Sequence, residues 1–474
     1  MERLTRTEEA KLILKEINQI FYSKNWEKDL YSKKTKHSLW AINQQIFFNK
    51  ILSELEGKKD KKEKIFFWLE NIIFFFLSIS SNFFFSFLCR IKQKEIGVYA
   101  IYKGKDKDFR LKKFFSFLDK ERIEYGNIVY CGTKSLVWRA IASNRFPLFI
   151  KTPLPFPKRC SGPQLEKEDL QKIESEQYRK IISKLFPIFI RLSQKNRFEI
   201  KFLSFFLKAS GIKKIFAIDD YRHMFLLTEA AHESRVNIIF IQHGRFNKSL
   251  GWLNDFIDSS LYPIPEEYLL KNEFWRKALL KNSNIFTNYT NRLKIFGSAS
   301  EDISFENKEN KEKKEIISIL IPYETATDHE EIRSIVEEIK KDKKYYIFFR
   351  PRPDLDKEKQ LKDYSLPSST KIVEDINSFL KNESIDFILG TYTTLLYEFA
   401  AVSIPSIIVE TKNTDAFDLF EEKLGFLVRK ENCTEEIAKK HSDLSWFNKT
   451  KAAELVIKDD FIKNCKEVLK NVRN

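Results

Sequence analysis

Glycine is scarce, at 12 of 474 residues, and this excludes a long Gly-rich linker, a Gly-rich RNA-binding tail and a collagenous segment. Cysteine is nearly as sparse. Cys89, Cys131, Cys160, Cys433 and Cys465 are too far apart for a C-x-x-C metal or redox pair. Their odd number and wide spacing suit a reducing cytoplasm better than an oxidising compartment. The six histidines are scattered and no H-E-x-x-H occurs, so the expectation is that no metal is bound and none is required. The N-terminus, MERLTRTEEAKLILKEINQI, has charges throughout and no apolar core, so it is not a signal peptide. Leu12, Ile13, Ile17 and Ile20 instead recur at helical spacing.

Basic residues and phenylalanine are present in excess. Lys plus Arg number 83 against 67 Asp plus Glu, a net charge of +16. That balance favours an anionic partner: nucleic acid, an acidic membrane surface or a phosphorylated substrate. No nucleic-acid motif accompanies it, and the lysines are interspersed with glutamates, so nucleic acid is not expected as a partner. Phe occurs 44 times, partly because Lys, Asn, Ile and Phe rise together in AT-rich coding sequence. The surplus is concentrated in residues 66–87. Within it, Ile72 to Cys89 runs eighteen residues without a charge, between the basic run at 58–64 and Arg90, Lys92 and Lys94. About 20 apolar residues are needed to span a bilayer. Three readings stay open for 72–89: a spanning helix, a membrane-surface helix, and a buried helix or hairpin. Flanking cations suit an anionic cytoplasmic leaflet.

From Lys94 the pattern becomes α/β. IGVYAIY (96–102) and NIVYC (127–131) read as strands, four prolines from 153 to 163 as a loop, and 165–210 as a long helix ended by Gly211. KIFAI (214–218), a helix over 221–234 and NIIFI (237–241) form a βαβ unit. NIFTN (284–288) and LKIF (293–296) read as closing strands. Residues 300–314 are a charge-dense linker. A second unit follows, with strands at 315–321, 344–349, 386–389 and 405–409 and helices at 328–341, 376–380 and 393–402. The expected organisation is a helical extension (1–94), a Rossmann-like acceptor domain (95–299), the linker (300–314) and a Rossmann-like donor domain (315–474).

Ligands of open α/β sheets bind at the carboxyl ends of strands. Four groups fall at such ends: Asp219-Asp220, Gln242-His243-Gly244-Arg245, Arg350-Pro351-Arg352-Pro353, and Gly390-Thr391-Tyr392-Thr393-Thr394. In the last group, backbone N–H groups and the hydroxyls of Thr391, Thr393 and Thr394 before a helix make an anion site, with Glu398 placed to accept from ribose hydroxyls. Arg350 and Arg352 are permanent cations suited to phosphate oxygens.

The segment from Gly390 through Glu398 and Ser403 to Pro405 resembles the donor-binding segment of GT-B glycosyltransferases, a hydroxyl cluster followed by E-A-x-x-x-G-x-P. Ser403 stands where that family carries glycine. Arg350-Pro351-Arg352-Pro353 is similar to the H-P motif of bacterial capsule and lipooligosaccharide transferases, with Arg352 in the histidine position. Gln242-His243-Gly244 also occurs in such envelope enzymes. The resemblance covers about 210–410 and implies a GT-B fold and sugar transfer from a nucleotide-sugar donor, CMP-activated acidic sugars included, to an envelope polysaccharide or lipid-linked acceptor. Inverting transfer needs a neutralised leaving phosphate and a deprotonated acceptor hydroxyl. Asp219, Asp220 and His243 are the candidate catalytic groups. Arg350, Arg352, Gly390, Thr391, Thr393, Thr394 and Glu398 are the donor-binding candidates, and Gly244 and Arg245 the acceptor-binding ones. The expected location is the cytoplasm, peripheral to or anchored at the inner face of the cytoplasmic membrane. A CDP-glycerol or polyol-phosphate transferase, a basic nucleic-acid-binding protein and a non-catalytic GT-B relative are the competing classes.

Overall fold

A computed structural model describes the chain apart from residues 1–5, 27–29, 33, 56, 58–66, 101–108, 131–145, 151–162, 220–223, 245, 247–260, 284, 301–302, 304–314, 325–328, 353–354, 412–416, 458–459 and 474. Asp220, Arg245 and most of the proline-rich loop and charged linker lie outside the described residues.

Two all-parallel sheets dominate. The first orders its strands β3-β2-β1-β4-β5-β6-β7. These are Leu148–Phe149 (β3), Tyr125–Val129 (β2), Ile96–Tyr99 (β1), Lys214–Ile218 (β4), Asn237–Ile241 (β5), Glu267–Leu270 (β6) and Leu293–Ile295 (β7). The second orders β10-β9-β8-β11-β12-β13. Its strands are Lys371–Ile372 (β10), Tyr345–Arg350 (β9), Ile317–Pro322 (β8), Phe387–Gly390 (β11), Ser406–Val409 (β12) and Gly425–Val428 (β13). Both orders reverse direction after three strands, so each sheet is doubly wound with a switch point, at β1/β4 and at β8/β11. Two Rossmann-like sheets are the architecture expected of a GT-B chain.

The strands are apolar because both faces are covered. All residues of β8, β11 and β12 are buried, as are Ile215–Ile218 and Ile238–Ile241. The long helix Glu176–Ser210 starts where Ser175 accepts the Tyr178 N–H at 3.3 Å, and ends at Gly211, whose φ of 75° is left-handed. Helices Arg6–Ser23 and Gln44–Leu55 pack beside it through aromatic rings. Phe47 stacks 4.0 Å from Phe189 of the long helix between centroids, while Phe21 stacks 3.9 Å from Trp40, which itself lies 5.7 Å from Phe186 of the long helix. Much of the phenylalanine surplus is thus ordinary core.

One expectation is corrected. Residues 285–288 are not a strand: Thr287–Arg292 is a 3₁₀ turn, and the neighbour of β5 is β6. β6 has four residues, opens on Glu267, and carries too little pattern to be seen in sequence. The C-terminal helix Phe461–Arg473 belongs spatially with the first sheet. Phe461 stacks edge-on against Phe114 and Phe296, and the Lys214 ammonium donates to the Val468 carbonyl at 3.3 Å.

The apolar segment forms one helix, Phe67–Ile91, lying along the long helix and the edge strand β3. Among the described residues no helix is long and apolar enough to cross a membrane.

Candidate active site at the domain junction

Asp219, just past β4, is fully buried. One carboxylate oxygen accepts the His243 backbone N–H at 2.8 Å and also contacts the His243 ring at Nδ1. The other accepts the Tyr268 hydroxyl at 2.7 Å. His243 follows β5 and keeps part of its ring exposed. Three adjacent strands, β4, β5 and β6, therefore supply an acid and an imidazole just past their ends and a phenol from within β6, in one chain of contacts. A buried carboxylate on Nδ1 fixes the ring and leaves Nε2 as the proton-accepting atom, which is how a histidine base is oriented.

Gln242 ties this turn to the next strand end. Its Nε2 donates to the Gly244 carbonyl at 2.7 Å and its Oε1 accepts the Lys271 N–H at 2.9 Å. The Lys271 side chain is almost fully buried and its ammonium reaches Glu398 Oε1 at 3.4 Å. Since Glu398 lies on the helix Leu395–Ala401 of the second sheet, that ion pair joins the two halves. Trp275 and Tyr397 pack beside it with centroids 5.0 Å apart. A cleft of about 550 Å³, open mouth included, is lined here by Lys271, Trp275, Thr394, Tyr397, Glu398 and Leu455.

Arg350 ends β9 and is partly buried. Its Nη1 donates to the Glu374 carbonyl at 2.9 Å and the Val373 carbonyl at 3.4 Å. Burial lowers its pKa, and the fields of Glu398 and Asp375 oppose that shift. Two cations, Lys271 and Arg350, thus act on one carboxylate, Glu398. The Arg352 backbone is clamped by Gln360, which accepts its N–H at 2.8 Å and donates to its carbonyl at 3.0 Å.

The amide cluster read from the sequence as an anion site exists, and a carboxylate of this chain fills it. Glu324, two residues past β8, is buried at the β8/β11 switch point. It accepts the N–H groups of Thr391 (3.0 Å), Tyr392 (3.1 Å) and Thr393 (2.8 Å), and the Thr391 hydroxyl. Burial raises the Glu324 pKa, while the Thr391 hydroxyl and the three amides pull it down; the net shift is upward. Gly390 is what admits it: a Cβ there would lie 2.8 Å from Glu324 Oε1. Thr391 and Thr393 are therefore engaged within the protein. Thr394 faces the cleft, and Glu398 is paired with Lys271. Ser403 adopts φ 63°, a left-handed geometry that glycine takes up without the strain a Cβ brings.

Sequence reasoning named Asp219 and His243, which the structure brings into contact, and Arg350 and Glu398, of which the second acts on the first through its field. It missed Tyr268 and Lys271, which stand on and after the unrecognised β6, and Glu324, whose partners are 67 residues away.

Among the described residues one His/Glu/His group has ligand atoms within 4.8 Å of one another: His37, Glu229 and His232. It is remote from the cleft, at the far end of the helix Met224–Ser234. Its members are already engaged, His37 with Glu229 at 2.5 Å and His232 with Glu266 at 3.3 Å.

No protein-family model matches the chain, and no curated protein does. Among solved structures, the calicheamicin glycosyltransferase CalG4 is similar with a TM-score of 0.49 at 11% identity, over 80% of this chain and 98% of that one. The S. aureus MnaA–UDP co-structure follows with a TM-score of 0.47 at 10% identity, over 80% and 97%. The Neisseria meningitidis UDP-GlcNAc 2-epimerase bound to UDP-GlcNAc has a TM-score of 0.43 at 13% identity, over 80% and 99%. With similarity at that level, the class of the protein rests on its own strand order and junction.

Proposed function

We propose that the chain is a nucleotide-sugar-dependent glycosyltransferase. The donor lies in the junction cleft and the acceptor hydroxyl approaches the His243 turn. The observation that carries this reading is the buried Asp219 fixing His243 at a strand end of the first sheet, next to Gln242, whose Oε1 holds the backbone of the cleft-lining Lys271.

In this reading His243 Nε2 takes the proton of the acceptor hydroxyl. The freed oxygen attacks the anomeric carbon on the face opposite the leaving group. The bond from that carbon to the phosphate oxygen breaks, and the electron pair leaves with the nucleotide. The anomeric centre inverts. Asp219 stabilises the imidazolium, and the Tyr268 hydroxyl holds Asp219 in place. Lys271, which lines the cleft, together with Arg350 and Arg352 from the end of β9, supplies the positive charge that the departing phosphate needs. Because Glu324 holds the Thr391–Thr393 amides, we assign the phosphate to the cationic side chains and Thr394. The finer reading, from the motif around Arg350 to Arg352, is a CMP-activated acidic sugar as donor and a cell-envelope glycan or glycolipid as acceptor.

A panel of UDP, CMP and GDP sugars, scored by thermal shift and by nucleotide release, tests this. Stabilisation and release with a sugar nucleotide is expected. Response to CDP-alcohols alone would transfer the reading to polyol-phosphate transfer. Salt-sensitive RNA binding with no nucleotide response would refute both.

A further inference from the structure

The helix Phe67–Ile91 is built inside out. Its face toward the protein is polar. Ser78, Ser81, Asn82 and Ser86 are all buried there, with Phe85 and Cys89. These groups are used. Asn82 accepts the Phe149 N–H at 2.8 Å and donates to its carbonyl at 3.5 Å, covering the otherwise open edge of β3. Ser81 donates to the Pro147 carbonyl at 2.9 Å and Ser86 to the Phe206 carbonyl at 3.0 Å. Gly126 of β2 lets the helix seat closely, since a Cβ there would meet Phe85 at 2.8 Å.

The outward face is aromatic. Phe76, Phe83, Phe87 and Ile91 fall at spacings of seven, four and four residues, one stripe of the helix, and are 61%, 54%, 61% and 61% exposed. The stripe continues onto the long helix, where Phe205 lies 6.4 Å from Phe83 between centroids and is 56% exposed. A soluble helix does the reverse: apolar in, polar out. Contiguous apolar exposure on this scale marks an interaction surface.

Charge selects the occupant. Arg90, Lys92, Lys201 and Lys208 are exposed around the aromatics. Residues 75–92 contain no acid, and the only acid in 191–210 is Glu199, buried beside Lys195. Phenylalanines at the centre and lysine and arginine at the rim are what an interfacial helix presents to anionic headgroups. We infer that this face lies on an anionic lipid bilayer, with the Phe83–Phe87–Phe205 rings in the headgroup boundary and the cations on lipid phosphates. The chain is seated on the membrane through the β3 edge of its first sheet, which leaves the junction cleft free. This inference is independent of the reading of the cleft.

The test is co-sedimentation of the full chain with vesicles of phosphatidylcholine alone and of phosphatidylcholine with phosphatidylglycerol. Binding to the anionic vesicles, weakened by salt, is expected. The triple variant Phe83→Ser/Phe87→Ser/Phe205→Ser should bind at least ~10-fold more weakly, because two or more membrane anchors act together. Its melting curve should match that of the parent, since the three rings are mostly exposed. Arg90→Gln/Lys201→Gln/Lys208→Gln should abolish the preference for anionic over neutral vesicles. Absence of vesicle binding, or equal binding by the aromatic triple variant, would overturn the inference. So would a concentration-dependent dimer that the triple variant loses in the absence of any lipid binding, because a second copy would then be the occupant.

Discussion

The Glu324 carboxylate accepts the Thr391 N–H at 3.0 Å and occupies the amide cluster at the switch point of the second sheet. A hydrogen-bond acceptor belongs there, since three N–H groups converge on it. In this chain residue 324 supplies that acceptor. Glu324→Ala should strand those donors and cost on the order of 3 kcal/mol in denaturant unfolding. Inorganic phosphate at millimolar concentration should restore part of the loss. Glu324→Gln, with one acceptor oxygen and no charge, should lose less. Because burial raises the Glu324 pKa, its contribution is full below the ordinary carboxylate value and is lost as pH rises through the folded value. The Gln variant should lack that pH dependence.

Glu229 has the opposite sign. Burial alone would raise its pKa, but hydrogen bonds from His37 and Thr35 outweigh it and the net shift is downward. Its contribution is present above the ordinary carboxylate value and is lost as pH falls through the lower folded value. Urea melts of the parent and of Glu229→Gln should therefore differ by about 1–3 kcal/mol near pH 7 and converge as pH falls through the lowered folded value. A gap that stays constant with pH would show that the ion pair is not its origin.

Ser403, at φ 63°, holds a left-handed backbone that a Cβ disfavours. Ser403→Gly should stabilise the fold by about 0.5–1 kcal/mol, part of the relief being offset by the entropy glycine brings to the unfolded chain. A shift of the unfolding midpoint to higher denaturant is the readout.

The α/β architecture was legible because parallel strands covered on both faces are continuous apolar runs. KIFAI and NIIFI became β4 and β5 at the residues the pattern named. Strand ends then marked Asp219, His243 and Arg350. What stayed hidden was non-local or short. β6 has only four residues, so Tyr268 and Lys271 had no strand to stand on. The filling of the amide cluster joins residues 67 apart, and no local pattern encodes it. NIFTN looked like a strand because Ile285 and Phe286 are core residues, yet the backbone there turns. The hydrophobic segment at 72–89 gave its helix but not its orientation, because composition does not say that serines and Asn82 face inward while phenylalanines face out.

The central claim is that His243, oriented by Asp219, takes the acceptor proton. Steady-state turnover of His243→Ala and Asp219→Asn, with donor binding followed in parallel by thermal shift, tests it most directly. The account predicts turnover lowered by ~10²–10⁴-fold in both variants with donor binding preserved. Turnover at the parent's rate in either variant would contradict it.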